Sequence, residues 1–413
     1  MYYFFGAGNN CHSAIEFFGI ENIYAIVDND KTKVGSKLRK ISIISFDEFL
    51  EKYNNEKVII TTNTGALSVS RQLEKVGIKN YYVCPYMQSG FYNAKEIVER
   101  WNLIHYENIT FYSRTPISEK IISEINKKCG IHYFDKDNIN LENQNKEVLV
   151  ITEVDDSEKL SHIEYDFFKV LDLNKDIERW HAEEFQYLKE YYNKHNGDVC
   201  FLVGNGPSLT DKDLECIHNH NIYSFGCNGI YKIFSKTNWR PDFYMLGDNI
   251  FFEKEQENLP NECNYFIRKI VNQDKMKNKK VHFYCGKFEN YFPGYPSFST
   301  ELEKGVYGGR TIMYDMLQFA VYMGFKKIYL IGVDFSWGKD GNNTHFCESY
   351  SDGIREKFAV SYKEEIKNAY YSARQYADSH GVKIYNATRG GKLEVFERKN
   401  LDEVFAEIEN EKM

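Results

Sequence analysis

A chain of 413 residues exceeds what one ordinary hydrophobic core organises, so two or three domains are expected. Its 42% hydrophobic and 27% charged residues give a globular balance and exclude a disordered chain. The net charge of −8, with basic residues interleaved among acidic ones, builds no positive stripe and argues against nucleic acid as a partner. The 32 Tyr and 30 Phe fit a compositional bias better than a stacking site. The nine cysteines are scattered singly, several of them in apolar runs (Cys84, Cys200, Cys285), with no CxxC pair. Small buried hydrophobes in a reducing compartment are expected, and neither a disulfide framework nor a zinc site. No window approaches the roughly 20 apolar residues that span a bilayer, and the start lacks the pattern of a secretory signal. A cytoplasmic protein is expected, able to work at the inner face of a membrane.

In chain order, Tyr2–Phe5 reads as a strand, Gly6-Ala7-Gly8-Asn9-Asn10 as a turn and Cys11–Phe18 as a helix. Strands follow at Ile23–Val27, Val58–Thr62 and near Tyr81–Val83, with a helix over Leu67–Val76. The pattern resumes more weakly with strands at Thr110–Ser113, Ile131–Phe134 and Val148–Thr152 and a helix over Ile117–Lys127. Helical spacing over Lys175–His195 suggests a bridging element. The last region carries strands at Val199–Val203, Ile222–Gly226, Phe243–Leu246, Val281–Tyr284, Ile328–Gly332 and Lys383–Tyr385. Its helices cover Thr311–Gly324 and Ala359–His380. Short apolar runs alternating with helical patterns predict an α/β protein of two or three Rossmann-like, doubly wound domains with mostly parallel sheets. The expected boundaries are 1–95, 96–195 and 196–413.

In a doubly wound sheet, ligands bind beyond the carboxyl ends of the strands. In the last region those ends carry Gly204-Asn205-Gly206-Pro207-Ser208, Cys227-Asn228, Gly247-Asp248-Asn249 and Asp334, followed by a loop with His345. The two glycines of the first turn let backbone approach a phosphate or ribose. Thr210 with Asp213 is a plausible helix cap. Gly309-Arg310-Thr311 opens the helix over Thr311–Gly324. Any one of these features is weak, whereas polar residues ending four neighbouring strands converge on one site. In the first region, Gly6-Ala7-Gly8 with Asp28 about twenty residues on partly matches a dinucleotide fingerprint. The third glycine is missing, which favours a structural role.

The runs Gly204–Leu209, Cys227-Asn228 and Gly324–Phe335 resemble bacterial sialyltransferases of lipooligosaccharide synthesis (glycosyltransferase family 42-like). They are at least as similar to the 6-hydroxymethylpterin diphosphokinase MptE-like domain, which also occurs in flagellin glycosyltransferases. Ile384–Gly391 looks like polysaccharide-associated members of that domain, and the resemblance covers about residues 198–400. It implies a GT-A-like catalytic domain binding a CMP-activated sugar. Asn205 and Ser208 would meet phosphate and ribose, with Gly204 and Gly206 shaping the turn. Asn228, Asp248 and Asn249 would hold the nucleotide or donor sugar. Gly309, Arg310 and Thr311 would lie near the nucleotide, Arg310 with a catalytic part, and Asp334 and Ser336 would line the donor site. His345 falls in the loop of the catalytic base. Those enzymes carry tyrosines where this chain has Ser336-Trp337, and Ser336, Tyr350 or Arg310 would have to substitute.

The expected activity is transfer of a sugar, a nonulosonic acid such as sialic acid, from a CMP donor to a glycan, lipid-linked or protein acceptor such as flagellin. His345 would serve as general base, and no metal or cofactor is required. Peripheral membrane association and a homo-oligomer are compatible with it. The alternatives are a Mg²⁺-dependent pyrophosphokinase of the pterin type, with Asp248 and Asp334 as metal ligands, and a non-catalytic nucleotide-sugar-binding subunit.

Overall fold

A continuous apolar run such as Val199–Val203 has no solvent face to offer, and it folds as an interior strand of a parallel sheet. The computed structural model describes residues 1–62, 66–83, 94–112, 116–125, 129–133, 147–151, 169–268, 279–287, 294–336, 345–347 and 362–412. The chain divides into two compact units, Met1–Glu183 and Glu184–Met413. The division falls within the segment whose helical spacing suggested a bridge.

The first unit holds two sheets. Strands β1 (Tyr2–Phe5), β2 (Ile23–Val27), β3 (Lys37–Leu38), β4 (Ile41–Ile44), β5 (Lys57–Ile60) and β6 (Tyr81–Val83) lie in the order β3-β4-β2-β1-β5-β6. All pairs are parallel except β3–β4. Helices α1 (Asn9–Phe18), α2 (Phe46–Lys52) and α3 (Ala66–Lys75) belong to this part. A second, parallel sheet has the order β10-β9-β7-β8, from β7 (Asn108–Phe111), β8 (Gly130–Tyr133), β9 (Glu147–Ile151) and β10 (Lys169–Asp172). It accompanies α4 (Ala94–Trp101), α5 (Pro116–Glu124) and α6 (Leu173–Glu184). Phe4, Ile26 and Ile59 share one core with Ile109, Phe111, Trp101 and Trp180, so the two sheets of this unit are packed together. The Trp101 indole donates to Asp176 Oδ2 at 2.7 Å.

The fingerprint-like turn of this unit is tied to the residue that follows β2. Asp28, ending β2, accepts from the Ala7 backbone N–H at 2.6 Å and from the Asp30 N–H at 2.8 Å. Lys33 Nζ lies 3.4 Å from the same carboxylate. The acidic residue at the position that holds a ribose in a dinucleotide fingerprint braces the loop here.

The second unit carries an eight-stranded sheet in the order β15-β14-β13-β12-β11-β18-β19-β20. Its strands are β11 (Val199–Val203), β12 (Tyr223–Cys227), β13 (Phe243–Leu246), β14 (Asn264–Arg268) and β15 (Lys280–Tyr284), then β18 (Lys327–Ile331), β19 (Lys383–Asn386) and β20 (Glu397–Arg398). Every pairing is parallel. A small ribbon joins β16 (Gly286–Lys287) to β17 (Val306–Tyr307). The helices are α7 (Asp211–Asn219), α8 (Asn249–Glu255), α9 (Ile312–Tyr322), α10 (Lys363–Ser379) and α11 (Leu401–Lys412). Alternate residues of β11 enter different cores. Cys200 and Leu202 pack with α9 and α10, whereas Phe201 and Val203 pack with α7 and α11. The same alternation runs through β13 and β18, and it makes the sheet doubly wound. Helix α9 is apolar nearly all round (Met313, Tyr314, Met316, Leu317, Phe319, Ala320) and is correspondingly buried. Thr210 caps α7 as its sequence suggested, accepting from the Asp213 N–H at 3.2 Å. Among the described residues no helix is long and apolar enough to cross a membrane.

A pH-dependent tie links α7 to the loop before β13. Glu215 accepts from Thr237 Oγ1 (2.7 Å), Asn238 N (3.0 Å) and Asn238 Nδ2 (3.0 Å). These bonds, those from Asn238 first, hold its carboxyl down at about 2. A depressed carboxyl contributes stability above its unfolded value, and that contribution is lost as pH falls toward 2. Glu215→Gln is therefore expected to flatten the acid side of the stability curve below pH 5 and to leave its slope above pH 6 unchanged. Melting curves of both proteins across pH 2.5–7 check this; parallel acid limbs would refute it.

Candidate functional site

Strand order reverses between β11 and β18: from β11 the chain winds outward to β15 on one side, then crosses to β18 on the other. That reversal is where a doubly wound sheet opens a crevice at its carboxyl edge. The turn Gly204–Ser208 leaves β11 there, and Gly332–Ser336 leaves β18 directly beside it. The two turns interlock: Gly204 N donates to Ile331 O and Gly206 N to Gly332 O, each at 2.8 Å.

The glycines serve this interlock. A Cβ on Gly204 would lie 2.4 Å from Gly332 O, and one on Gly206 1.9 Å from Asp334 Oδ2. The sequence had suggested that they make room for a phosphate. The structure shows them making room for the neighbouring turn. Ser208 donates to Asp334 Oδ2 through Oγ at 2.8 Å, with its backbone N at 3.4 Å. Asp334 is 8% exposed. Burial raises its pKa above the ordinary value, while the Ser208 bonds act in the opposite direction. Asp334 and Ser208 thus form an internal brace beneath the turn.

Asn205 ties three segments together. Its Nδ2 donates to Cys227 O at 3.1 Å, joining the ends of β11 and β12. Its carbonyl accepts from Phe346 N at 3.1 Å, which anchors the segment 345–347 to the turn. His345 is thereby held one residue from a contact with the turn, although 140 positions separate the segments in sequence. Trp337 and Tyr350 lie outside the described residues.

Asn228 follows β12 in a left-handed conformation (φ 46°). Its carbonyl accepts from the Tyr244 hydroxyl. Among the described residues its buried side-chain oxygen Oδ1 has no hydrogen-bond partner, which leaves a good acceptor unused at a strand end. Arg310 (φ 58°) and Phe335 (φ 52°) are left-handed as well, beside α9 and β18. Positive φ is costly for a bulky residue such as Phe335, and such strain collects at functional sites.

The N-terminus of α9 faces the same edge. Thr311 caps it by accepting from Met313 N at 3.3 Å. Next to it, a Cβ on Gly247, which follows β13, would lie 2.6 Å from Ile312 Cδ1. Gly309 fits closely under Tyr314 and Ala369, where a Cβ would lie 2.6 and 2.7 Å away. Arg310 turns its Nε onto Glu365 Oε2 of α10 at 2.6 Å and stacks over Tyr362, 5.0 Å from the ring centre. That ion pair is mostly buried and joins α9 to α10. Asp248 caps α8, accepting from Phe251 N at 2.9 Å, and Asn249 is the first residue of that helix. Ser336 ends the described part of the β18 turn, half-buried. The carboxyl edge thus carries the Gly204–Ser208 turn, Asn228, Asp334 and the 345–347 segment, with the Gly309–Thr311 entry to α9 along the β13 side. Among the described residues no group of three or more His, Cys, Asp or Glu side chains is placed to hold a metal.

Residues 172–340 match the family described as 6-hydroxymethylpterin diphosphokinase MptE-like. The matched stretch takes in β11 to β18 and the switch-point turns, while His345, α10 and α11 lie beyond it. No curated protein matches the chain. Among solved structures, that of the Maf glycosyltransferase from Magnetospirillum magneticum AMB-1 is similar at 16% identity, with a TM-score of 0.35. The similarity covers 72% of this chain and 58% of that one, so this chain spans little more than half the length of that protein.

The matched stretch also contains a group that the sequence did not single out. Arg268, Tyr284 and Asp315 come from β14, β15 and α9 and form one buried network. Strand β14 was itself missed, because Tyr265-Phe266-Ile267 is a short apolar run without flanking Gly or Pro to mark it.

Proposed function

We propose that the protein is a nucleotide-sugar-dependent glycosyltransferase whose donor is a CMP-activated nonulosonate. The observation that carries this reading is the Phe346–Asn205 bond, which brings the His345 segment to the nucleotide-type turn at the switch point. In this reading the nucleotide lies across the carboxyl edge over Gly204–Ser208. Asn228 Oδ1 accepts from a ribose hydroxyl or a base amine. His345 takes the proton from the acceptor hydroxyl as its oxygen bonds to the anomeric carbon. The bond from that carbon to the phosphate oxygen breaks, and CMP leaves with the electron pair. The partial positive charge at the N-terminus of α9 stabilises the leaving phosphate. The acceptor is a surface glycan, a lipid-linked glycan or flagellin.

The family description supports a second reading, diphosphoryl transfer, for which Asp248 and Asp334 would be the Mg²⁺ ligands with ATP as donor, each giving up its present bond to Phe251 N or Ser208. One experiment separates the two. Melting curves are recorded with CMP, CDP and ATP, each with and without Mg²⁺. A ligand at a hundredfold excess over its Kd stabilises by about 2.7 kcal/mol. Stabilisation by CMP or CDP without Mg²⁺ is the expected result. A response to ATP that requires Mg²⁺, with none to cytidine nucleotides, would replace glycosyl transfer with the kinase reading.

A further inference from the structure

Arg268 ends β14 at the same edge of the sheet as the Gly204–Ser208 turn. One edge of its guanidinium is fixed. Nη2 lies 2.6 Å from Asp315 Oδ1 and 2.5 Å from Oδ2, and Nε lies 3.2 Å from Oδ2. The Tyr284 hydroxyl donates to the same Oδ2 at 2.7 Å. Asp315 is completely buried, whereas the Arg268 side chain retains 22% of its exposure. Among the described residues no hydrogen bond reaches Nη1. That nitrogen faces Gly308, where a Cβ would lie 4.0 Å from it. Gly286 lies against the rest of the group, with a Cβ position 3.1 Å from Nε. Gly247, beyond β13, borders the network too: its Cβ position is 3.8 Å from Asp315 Oδ2.

A buried ion pair adds little stability compared with apolar residues of the same volume. What it does supply is a guanidinium locked in one orientation, whose free edge matches an oxyanion. The other conspicuous arginine at this edge, Arg310, directs its Nε to Glu365. Three strand spacings separate β11 from β14, about 14 Å. A nucleotide lying along the edge reaches that far when it carries a further charged group.

We propose that Arg268 binds an oxyanion of the donor, a phosphate or carboxylate oxygen carried beyond the nucleoside, through Nη1, with Asp315 and Tyr284 fixing the guanidinium. This rests on the nucleotide reading above. The test is calorimetric titration of the parent chain, Arg268→Gln and the double variant Arg268→Gln/Asp315→Asn with cytidine, CMP, CDP and a CMP-nonulosonate. The double variant removes both charges together, leaves no unpaired buried carboxylate, and is checked for folding by its melting temperature. Cytidine affinity is expected to be equal in all three proteins. Affinity for CDP is expected to fall by about tenfold or more if Arg268 holds a diphosphate, and affinity for the CMP-nonulosonate if it holds the sugar carboxylate. A folded double variant that binds every ligand as the parent does would overturn the role of Arg268 alone. A parent that binds no nucleotide in the panel would remove the functional reading, and this inference with it.

Discussion

Replacing His345 with alanine is expected to lower turnover by about 10²- to 10⁴-fold while nucleotide affinity stays at the parent level. On the proposed reading the two effects separate, because the base would act on the acceptor proton in the transition state while the turn, Asn228 and the N-terminus of α9 would hold the donor. His345→Gln, which keeps hydrogen bonding and removes the basic nitrogen, should behave as the alanine variant does. Turnover of the parent size in either variant would remove His345 as the base. The anchor of the segment can be probed as well: it reaches the turn through the backbone N–H of Phe346, so substituting the imidazole leaves that bond in place.

Much of the fold was legible because a doubly wound sheet writes itself into sequence as short apolar runs with polar ends. Val199–Val203 and Phe243–Leu246 have the bounds that their composition suggested. Other elements shifted by one or two residues, as with Thr110–Ser113 against Asn108–Phe111. Ile41–Ile44 with its helix Phe46–Lys52, and Asn264–Arg268, were not legible at all. They are brief, and turn residues do not delimit them clearly. The candidate site was legible where one residue type at a strand end sufficed, as at Asn205, Asn228 and Asp334. It was not legible where meaning depends on a partner far along the chain. Arg268 needs Asp315, 47 residues away, before its orientation has any significance. Arg310 reads as a free cation until Glu365 is placed against it, 55 residues on. For the glycines of the first turn the sequence suggests only backbone approach to a ligand, whereas the atoms nearest their missing Cβ groups belong to Gly332, Val333 and Asp334.

That proximity makes Gly206→Ala a severe substitution. The added Cβ would fall 1.9 Å from Asp334 Oδ2, 2.8 Å from its Cγ and 2.7 Å from Gly332 O. The carboxylate is a side chain and can rotate away, at the cost of both Ser208 bonds and of its place beneath the turn. The Gly332 carbonyl cannot do so, because it accepts from Gly206 N at the crossing of the two strand ends. Overpacking of this kind costs about 1–3 kcal/mol. Losing a hydrogen bond to a charged group adds about 1.5–3 kcal/mol. Against these stands a gain of about 0.4–1 kcal/mol from the stiffer unfolded chain. A net loss of about 2–5 kcal/mol is expected in denaturant unfolding of the variant, together with loss of nucleotide binding. Ser208→Ala removes the brace without the clash and should lie between the variant and the parent. Asp334→Ala placed in the Gly206→Ala background opens the space again. The two substitutions should therefore be less damaging together than their sum. The rescue should be partial, since the contact with Gly332 O remains. A Gly206→Ala protein as stable as the parent, or strict additivity with Asp334→Ala, would mean that the two turns are not interlocked at this point.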